Sequence, residues 1–317
     1  MKIIGTGSAS PSLVVTNDML SVFLDTSDEW ISTRTGIKER RIISDDSLKE
    51  LAVKASLQAI ENSGLTPKDI DFILCSNTVN NFIVPAFSCI IQGEIKANCP
   101  CMDLNVACSG FLYALYLAES LIATGKAKNI LVLCAEESSR MVDWRDRNTC
   151  VLFGDGTAAV VVTEGDSFKA SHLATQSKVE PLYYQRKMEY NPFVKNPDGN
   201  APLVMKGKDV FKLAVSSSLA DITAVLKKAD LQADEIDFFL LHQANLRIIE
   251  SIREFLKQPV EKFPHNIEKY GNTSSATIPI LLDELCREGI IKTGDKIIFS
   301  AFGAGFTSGA AVLEWAK

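Results

Sequence analysis

The sequence predicts an α/β fold made of two similar halves that share one core. Two observations lead to this prediction: strand-like apolar runs alternate with helical patterns, and the second half of the chain repeats features of the first. The composition agrees, because 46% hydrophobic and 23% charged residues among 317 are the proportions of a globular protein. This length suits one large domain or two of ordinary size.

Six apolar runs have the length and bounds of buried strands, and five segments have helical periodicity. The predicted strands are Asp71–Cys75, Asn129–Cys134, Ala158–Thr163, Asp237–Leu241, Lys296–Ser300 and Ala310–Glu314. The predicted helices are Leu48–Asn62, Gly110–Thr124, Val210–Lys228, Leu246–Leu256 and Ser275–Arg287. Such alternation favours a sheet with much parallel pairing.

The internal repeat indicates a duplication, with halves at 1–166 and 167–317. Corresponding segments keep similar offsets: Leu51–Val53 with Leu213–Val215, Ile70–Phe72 with Ile236–Phe238, and Gly125 with Gly289. Extending the last register backwards places Cys108 opposite Asn272, so that both face the internal axis, where sites in such sheets gather. Segment 167–207 has weak periodicity and several Pro and Tyr residues, among them Tyr190 and Pro192, and reads as an inserted loop region that covers a pocket.

Charge and cysteine usage narrow the function classes. A net charge of −6 argues against a general nucleic-acid or anionic-membrane role. No apolar run approaches the roughly 18 residues of a membrane span, and the first five residues are too short for a signal peptide, which predicts a cytoplasmic protein. The eight cysteines are scattered without zinc-site spacing, so we expect no metal.

Cys108 is the first candidate for chemistry. A small-residue turn precedes it, and a helix that is apolar on nearly every side follows it. A thiol at the N-terminus of a buried helix meets free backbone N–H groups and the positive end of the helix dipole, which favour the thiolate. The alternative interpretation of the motif alone is a packed cysteine at a tight turn.

Two further segments carry a histidine and an asparagine suited to the same site. His242 stands where a buried strand ends, although a hydrogen-bonded core histidine would have the same pattern. Asn272 lies in segment 271–276, which could equally be a plain helix cap. The repeat weakens that second interpretation, because it places Asn272 opposite Cys108.

Glycine-rich segment 301–306 lets the backbone approach a ligand, and its N–H groups could hold a thioester oxyanion. Segment 153–156 is similar but could be only a turn. Gly5 and Gly7 lack the dinucleotide fingerprint, so nucleotide binding is discounted.

At these residues the chain resembles β-ketoacyl-acyl-carrier-protein synthase III, a thiolase-like condensing enzyme. The resemblance covers nearly the whole chain, at segments 25–31, 33–37, 107–110, 146–147, 242–247, 271–274 and 302–306. It implies the five-layered thiolase fold, a homodimer, and a catalytic triad of Cys108, His242 and Asn272. The backbone N–H groups of Cys108 and Ala304 would form the oxyanion hole.

The resemblance also implies the binding residues and the reaction. Coenzyme A would contact Trp30 and Arg147 at the adenine and Arg34, Gly207, Phe211 and Asn245 along the pantetheine path. The acyl carrier protein would contact Gln243, Ala244, Asn245, Leu246 and Arg247, and the acyl pocket would include Val84, Phe153 and Ser308. Acyl-CoA would acylate Cys108, and malonyl-acyl-carrier protein would then lose CO2 and condense with the acyl group, without a metal or redox cofactor.

Two positions depart from the common family pattern. Val84 stands where many members have an aromatic residue, and Ser308 stands where many have Trp. Both changes remove bulk, which favours an enzyme that accepts acyl groups larger than acetyl.

Three competing readings remain at this point. A papain-like hydrolase uses Cys, His and Asn in the same order, but its signature around the cysteine is missing. A starter enzyme of polyketide or secondary-metabolite synthesis would share these motifs. The third alternative is a non-catalytic binding protein. In such a protein, iodoacetamide would label Cys108 no faster than the other cysteines.

Overall fold

The structure is a computed structural model that describes residues 1–185 and 202–317. The described residues form thirteen strands and nine α-helices. The strands are β1 Lys2–Ala9, β2 Leu13–Thr16, β3 Glu39–Ile42, β4 Phe72–Ser76, β5 Cys101–Leu104, β6 Ile130–Glu137, β7 Asp155–Thr163, β8 Phe168–Lys178, β9 Leu182–Tyr183, β10 Val204–Met205, β11 Phe238–Leu241, β12 Lys296–Gly303 and β13 Gly305–Glu314. The helices are α1 Asn17–Ser21, α2 Asp28–Thr35, α3 Leu48–Asn62, α4 Phe87–Glu94, α5 Gly110–Ala123, α6 Gly207–Ala229, α7 Leu246–Leu256, α8 Ile267–Tyr270 and α9 Thr277–Arg287.

Two larger sheets form the frame of the molecule. The first has the order β1-β7-β6-β4-β5, and the second has the order β11-β12-β13-β8. In the first, β6, β4 and β5 are mutually parallel while β7 pairs antiparallel with both β1 and β6. In the second, only β11 and β12 are parallel. The expected parallel pairing is therefore confined to part of each sheet.

The helices and sheets form five layers. Helices α5 and α9 lie between the two sheets, where Phe111 and Leu281 pack with β6, β7 and β12 in one buried cluster. Helices α3 and α4 cover the outer face of the first sheet, and α6 and α7 cover the outer face of the second. This is the predicted thiolase-like arrangement of two duplicated α/β halves.

Equivalent turns precede the two central helices. Each is a single 3₁₀ turn, at Ala107–Ser109 before α5 and at Ser274–Ala276 before α9. Each begins with a non-glycine residue at positive φ, 47° at Ala107 and 55° at Ser274. Helix α5 has 14 residues and α9 has 11. The correspondence between the two halves that fits the ends of these helices therefore does not fit their starts. Cys108 is therefore equivalent to Ser275, and the predicted pairing of Cys108 with Asn272 is wrong by three residues.

The inserted loop region predicted at 167–207 is wrong in its first part. Residues Phe168–Lys178 form β8, an edge strand of the second sheet that pairs with β13. Its side chains are half-buried or exposed, so the apolar pattern is weak. Short strands β9 and β10 pair further along, whereas Tyr190 and Pro192 lie outside the described residues. The division of strands between the sheets falls between β7 and β8, and the domain boundary at 166/167 stays a prediction.

Over the two described stretches, none of the helices combines the length and the apolarity that a membrane crossing requires.

Candidate active site

Cys108 lies on a turn that is held from two sides. The turn follows β5, and Ala107 adopts a left-handed φ of 47° immediately before the cysteine. The hydroxyl of Ser109 lies 2.6 Å from that of Thr307 in β13 and donates to the carbonyl of Val106 at 2.9 Å. The next residue must be glycine, because a Cβ on Gly110 would lie 1.9 Å from the Ser76 hydroxyl. This packing fixes the thiol at the start of α5.

His242 lies directly after β11 and is buried. Its backbone N–H donates to the carbonyl of Ser300 at 2.9 Å, which extends the sheet pairing by one residue. Its Nδ1 atom lies 2.7 Å from the hydroxyl of Thr277, at the start of α9. The ring also packs edge-on against Phe302, with centroids 5.1 Å apart. These contacts fix the imidazole plane.

Asn272 is held by the backbone of the segment that precedes β7. Its N–H donates to the carbonyl of Leu152 at 2.8 Å, and its carbonyl accepts from Gly154 at 3.1 Å. The side-chain Oδ1 accepts from the backbone N–H of Ser274 at 2.8 Å. Since Oδ1 is used in this way, the Nδ2 hydrogens are the ones available to a ligand.

Cys108, His242 and Asn272 line one cavity of about 700 Å³. The three side chains come from both halves of the chain, as the sequence predicted. The backbone of β12 closes the cavity beside the thiol: a Cβ on Gly303 would lie 2.8 Å from the N–H nitrogen of Cys108. Gly303 and Ala304 both line the cavity, so the two predicted oxyanion donors, Cys108 N and Ala304 N, belong to segments in close contact.

Burial governs the protonation of the two titratable members. It raises the pKa of the Cys108 thiol to about 12, although a hydrogen bond with Ser274 acts in the lowering direction, and the Glu136 carboxylate adds to the rise. The expected stabilisation of the thiolate by the helix N-terminus therefore meets an opposing effect, and Cys108 is a thiol at neutral pH. Burial also lowers the pKa of His242 to about 3, which makes the imidazole neutral.

The predicted adenine residues lie together at the surface. The guanidinium carbon of Arg147 lies 5.0 Å from the Trp30 ring centroid, and that of Arg34 lies 4.7 Å from it. Arg147 also forms an ion pair with Asp25 at 3.2 Å. The cavity lining includes Gly207, Phe211 and Asn245 of the predicted pantetheine path. It does not include Arg34 of that path or the predicted adenine residues Trp30 and Arg147.

Two of the three predicted acyl-pocket residues lie outside the cavity lining. Val84 is 80% exposed and lies outside the cavity lining, which Phe153 and the neighbouring Ile83 do join. Ser308 is buried on β13, where it pairs with Phe302, and it is not among the residues that line the cavity.

Gln243 is 1% exposed, and its Nε2 donates to the carbonyl of Leu241. Its side chain therefore does not reach a surface that a carrier protein could touch. Arg247 is exposed on the first turn of α7, and Ala244 and Asn245 line the cavity. Leu246 is half-buried and packs with the cluster around Trp30.

Two residues beside the site were missed from the sequence. Thr277 orients His242, yet it reads as an ordinary helix-start residue. Glu136 is 1% exposed next to the Asn272 turn, although Glu136 and Glu137 follow an apolar run at the end of β6. A carboxylate at the carboxyl end of such a strand is a signal that could have identified it.

The described residues contain no group of three or more His, Cys, Asp or Glu arranged to hold a metal ion. That a metal or redox cofactor is not needed stays a prediction.

The five layers and the Cys-His-Asn site define a thiolase-fold acyltransferase that condenses acyl groups. Profiles of the family described as 3-oxoacyl-[acyl-carrier-protein (ACP)] synthase III match residues 102–179, and those of its C-terminal part match residues 226–315. The chain belongs to this family, and the resemblance read from its motifs is confirmed.

Known members of the family are similar to this chain over its full length. The β-ketoacyl-[acyl-carrier-protein] synthase III of Clostridium acetobutylicum is 42% identical over 322 residues, covering 100% of this chain and 99% of the relative. The crystal structure of 3-oxoacyl-[acyl-carrier-protein] synthase III from Aquifex aeolicus has a TM-score of 0.92 and 43% identity, covering 99% of both chains. The priming β-ketosynthase from the R1128 polyketide biosynthetic pathway has a TM-score of 0.93 at 33% identity, covering 100% of this chain and 96% of that one.

Proposed function

We propose that the enzyme condenses an acyl-CoA primer with malonyl-acyl-carrier protein, giving a β-ketoacyl-acyl-carrier protein and CO2, as the initiating step of fatty-acid synthesis. The observation that carries the proposal is the meeting of Cys108, His242 and Asn272 in one cavity, in a chain of this family. A cytoplasmic location, where both substrates occur, is part of the proposal.

The first half-reaction is acyl transfer to sulfur. The Cys108 sulfur attacks the thioester carbonyl of acyl-CoA, the carbon–sulfur bond to CoA breaks, and the proton of Cys108 leaves on the CoA thiol. The backbone N–H groups of Cys108 and Ala304 hold the oxyanion of the tetrahedral intermediate. One thioester replaces another, so the step has little net cost.

The second half-reaction depends on His242 and Asn272. Both donate hydrogen bonds to the thioester carbonyl of malonyl-acyl-carrier protein, which stabilises the enolate formed as CO2 leaves. Neutral His242 can donate from Nε2 when Nδ1 accepts the hydroxyl proton of Thr277, 2.7 Å away. The enolate carbon then attacks the acyl-cysteine carbonyl, the carbon–sulfur bond to Cys108 breaks, and the departing thiolate takes up a proton from solvent, which regenerates the thiol.

The substrate arms would enter beside α6 and α7. Phe211 and Asn245 line the cavity, and the half-buried pair of Trp30 and Arg147 at the surface would bind the adenine. For the adenine to stack on Trp30, Arg147 must give up part of its contact with that ring. Arg34 also contacts the Trp30 ring, and so it lies beside the proposed adenine site.

We propose that the enzyme accepts primers larger than acetyl, and this proposal depends on Val84 and not on Ser308. Ser308 does not line the cavity, so the loss of bulk there does not enlarge the pocket. Val84 stays relevant because it is exposed on the loop that carries Phe82 and Ile83 into the lining. Comparing kcat/KM for acetyl-CoA with branched and medium-chain acyl-CoAs tests this proposal, and a strong acetyl preference would contradict it.

The central experiment is the intact mass of the protein after incubation with a panel of acyl-CoAs. We expect one acyl group on the wild type and none on Cys108→Ala. The matched control is Cys89→Ala, because Cys89 is an exposed free thiol outside the cavity and its loss should leave acylation unchanged. Acylation of Cys108→Ala would refute the assigned nucleophile.

A priming enzyme of polyketide synthesis is the second candidate, favoured by the match to the R1128 ketosynthase. It would perform the same condensation on a different carrier. Measuring kcat/KM with malonyl-loaded carrier proteins from fatty-acid and polyketide pathways separates the two, and a preference of tenfold or more for the polyketide carrier would favour this candidate.

A further inference from the structure

Glu136 is a buried carboxyl group that the proposed reaction steps do not use. It lies near the carboxyl end of β6 and is 1% exposed. Its Oε1 accepts from the hydroxyl of Ser275 at 2.5 Å, and its Oε2 accepts from the backbone N–H of Thr78 at 3.2 Å. The Thr78 hydroxyl adds a longer contact at 3.4 Å. Both oxygens are therefore tied to segments outside its own strand.

On one side the carboxyl group holds the turn that carries Asn272. Ser275 follows Ser274, whose φ of 55° is unfavourable for a residue with a side chain. The N–H of that same Ser274 fixes the Oδ1 of Asn272 at 2.8 Å. A hydrogen bond from Ser275 to a buried acceptor therefore stabilises the strained conformation that aims the Asn272 amide.

On the other side the carboxyl group holds the opposite wall of the cavity. Thr78 and Asn77 both line the cavity, and Asn77 donates from Nδ2 to the carbonyl of Ala135 at 2.6 Å, one residue before Glu136. The end of β6 thus joins this wall to the Asn272 turn. A movement of either segment would open a gap around the carboxyl group.

Keeping Glu136 buried has an energetic cost that the contacts offset. Burial raises the pKa of Glu136 to about 7, while the hydrogen bonds from Ser275 and Thr78 act in the lowering direction. Leaving a buried acceptor without its donor destabilises the fold. Moving either the Asn272 turn or the wall at Thr78 would leave a buried oxygen of Glu136 without a donor, so these hydrogen bonds hold both segments in place.

We infer that Glu136 is a positioning residue for the condensation half-reaction, which it serves by holding the Asn272 turn against the cavity wall at Thr78. This inference rests on the proposed function, because it takes Asn272 to act on the malonyl thioester. Acylation of Cys108 does not use the Asn272 amide. The two half-reactions should therefore respond differently when the carboxyl group is changed.

The test compares Glu136→Gln with Glu137→Gln, a matched control. Glu137 is the next residue, is 5% exposed, and pairs with Arg140 at 2.6 Å instead of facing the Asn272 turn. Acylation is followed by intact mass with acyl-CoA, and condensation is followed by product formation from the pre-acylated enzyme and malonyl-acyl-carrier protein. For Glu136→Gln we expect acylation within about threefold of wild type. Condensation kcat should fall about tenfold or more with KM little changed, as for a weakened transition-state donor.

Ser275→Ala removes the hydrogen bond to Oε1 directly, whereas Glu136→Gln replaces one of the two acceptor oxygens with a donor. We expect the same selective loss of condensation, and the double variant should lose no more than the larger single effect, because coupled partners are not additive. If Glu136→Gln does not fold, as judged by its thermal transition, Ser275→Ala carries the test alone. Equal losses in both half-reactions, condensation within twofold of wild type, or additive effects would each overturn the inference.

The outcome can be separated from that of the proposed function. A wild type that is not acylated by acyl-CoA, or that does not condense with malonyl-acyl-carrier protein, would refute the function itself. A wild type that performs both steps, with a Glu136→Gln variant that does so equally well, would refute only the positioning role.

Discussion

At the scale of single residues, the contact between Thr277 and His242 decides which nitrogen of the imidazole carries the proton. The Thr277 hydroxyl lies 2.7 Å from Nδ1 and 3.1 Å from the carbonyl of Ser274. When the hydroxyl donates to Nδ1, Nε2 holds the proton that the malonyl thioester needs. When it donates to Ser274, Nδ1 holds the proton and Nε2 cannot donate.

We therefore expect Thr277→Val to lower condensation by about tenfold or more, since an oriented donor is lost. Acylation of Cys108 should change little. Thr277→Ser keeps the hydroxyl and should restore most of the rate. Half-reaction assays on the two variants check this, and a serine variant as slow as the valine one would argue against the hydrogen bond.

His242 also predicts how stability depends on pH. Burial lowers its pKa to about 3 in the folded protein, against about 6.5 when unfolded, so between these values the unfolded chain binds the extra proton. Its contribution thus weakens stability as pH falls below about 6.5, by up to about 1.4 kcal/mol per pH unit. Unfolding free energies of the wild type should decline more steeply from pH 6.5 to 4.5 than those of His242→Gln. Parallel curves would contradict a neutral, buried imidazole.

The sequence could reveal some of these residues and not others. Cys108, His242 and Asn272 stand at turns between apolar elements, where a reactive side chain interrupts a pattern. Glu136 and Thr277 act through contacts made only when β6 meets the Asn272 turn and β11 meets α9. Those contacts join residues far apart in the chain, and periodicity does not report them.

At the scale of elements, helix α7 presents a charged first turn beside the cavity. Asn245 caps the helix by accepting from the N–H of Arg247 at 2.9 Å, and its Nδ2 donates to the carbonyl of Arg34 at 3.1 Å. Further along, Arg253 pairs with Glu250 at 2.8 Å. Arg247 is therefore the better candidate to contact the carrier protein.

Arg247→Ala should raise KM for malonyl-acyl-carrier protein several-fold and leave KM for acyl-CoA nearly unchanged, because only the first substrate brings a protein surface to α7. Arg253→Ala is the control, since its charge is already paired. Steady-state kinetics on both variants decide the matter. Equal effects of Arg247→Ala on the two substrates would remove it from the docking surface.

Helices and strands could be predicted from the sequence where their apolar patterns are strong. The bounds of α3 and α7 match their predictions, and β4, β6, β11 and β12 lie within a few residues of theirs. Strand β1 was missed because Gly5 and Gly7 break its apolar run. Their role is close packing: a Cβ on Gly5 would lie 2.1 Å from the carbonyl oxygen of Ala59 in α3. Such a constraint belongs to the neighbouring helix and leaves no mark in the strand's own pattern.

At the scale of the whole molecule, the first sheet ends in an open edge at β5. Met102 on this strand is 43% exposed, and the nearby loop exposes Phe82, Ile83 and Val84. Exposed strand edges with apolar neighbours invite pairing, and a two-fold axis would place two copies of β5 side by side and antiparallel. We predict a homodimer that uses this edge.

Sedimentation analysis should give twice the chain mass for the wild type. Met102→Asp should raise the dimer dissociation constant about tenfold or more, because a charge would be buried at the junction. Ile290→Asp is the matched control, since Ile290 is equally exposed at 43% and lies after α9. A wild type that is monomeric at micromolar concentration, or equal effects of both substitutions, would count against this edge.

The cavity described above has a consequence for the order of events during turnover. Because Cys108, His242 and Asn272 share one passage with Phe211 and Asn245, the two thioester arms must occupy it in turn. Double-reciprocal plots of initial velocity against acyl-CoA concentration, at several fixed concentrations of malonyl-acyl-carrier protein, should then give parallel lines. Free CoA should compete with malonyl-acyl-carrier protein for the vacated channel, and intersecting lines would mean that a ternary complex forms.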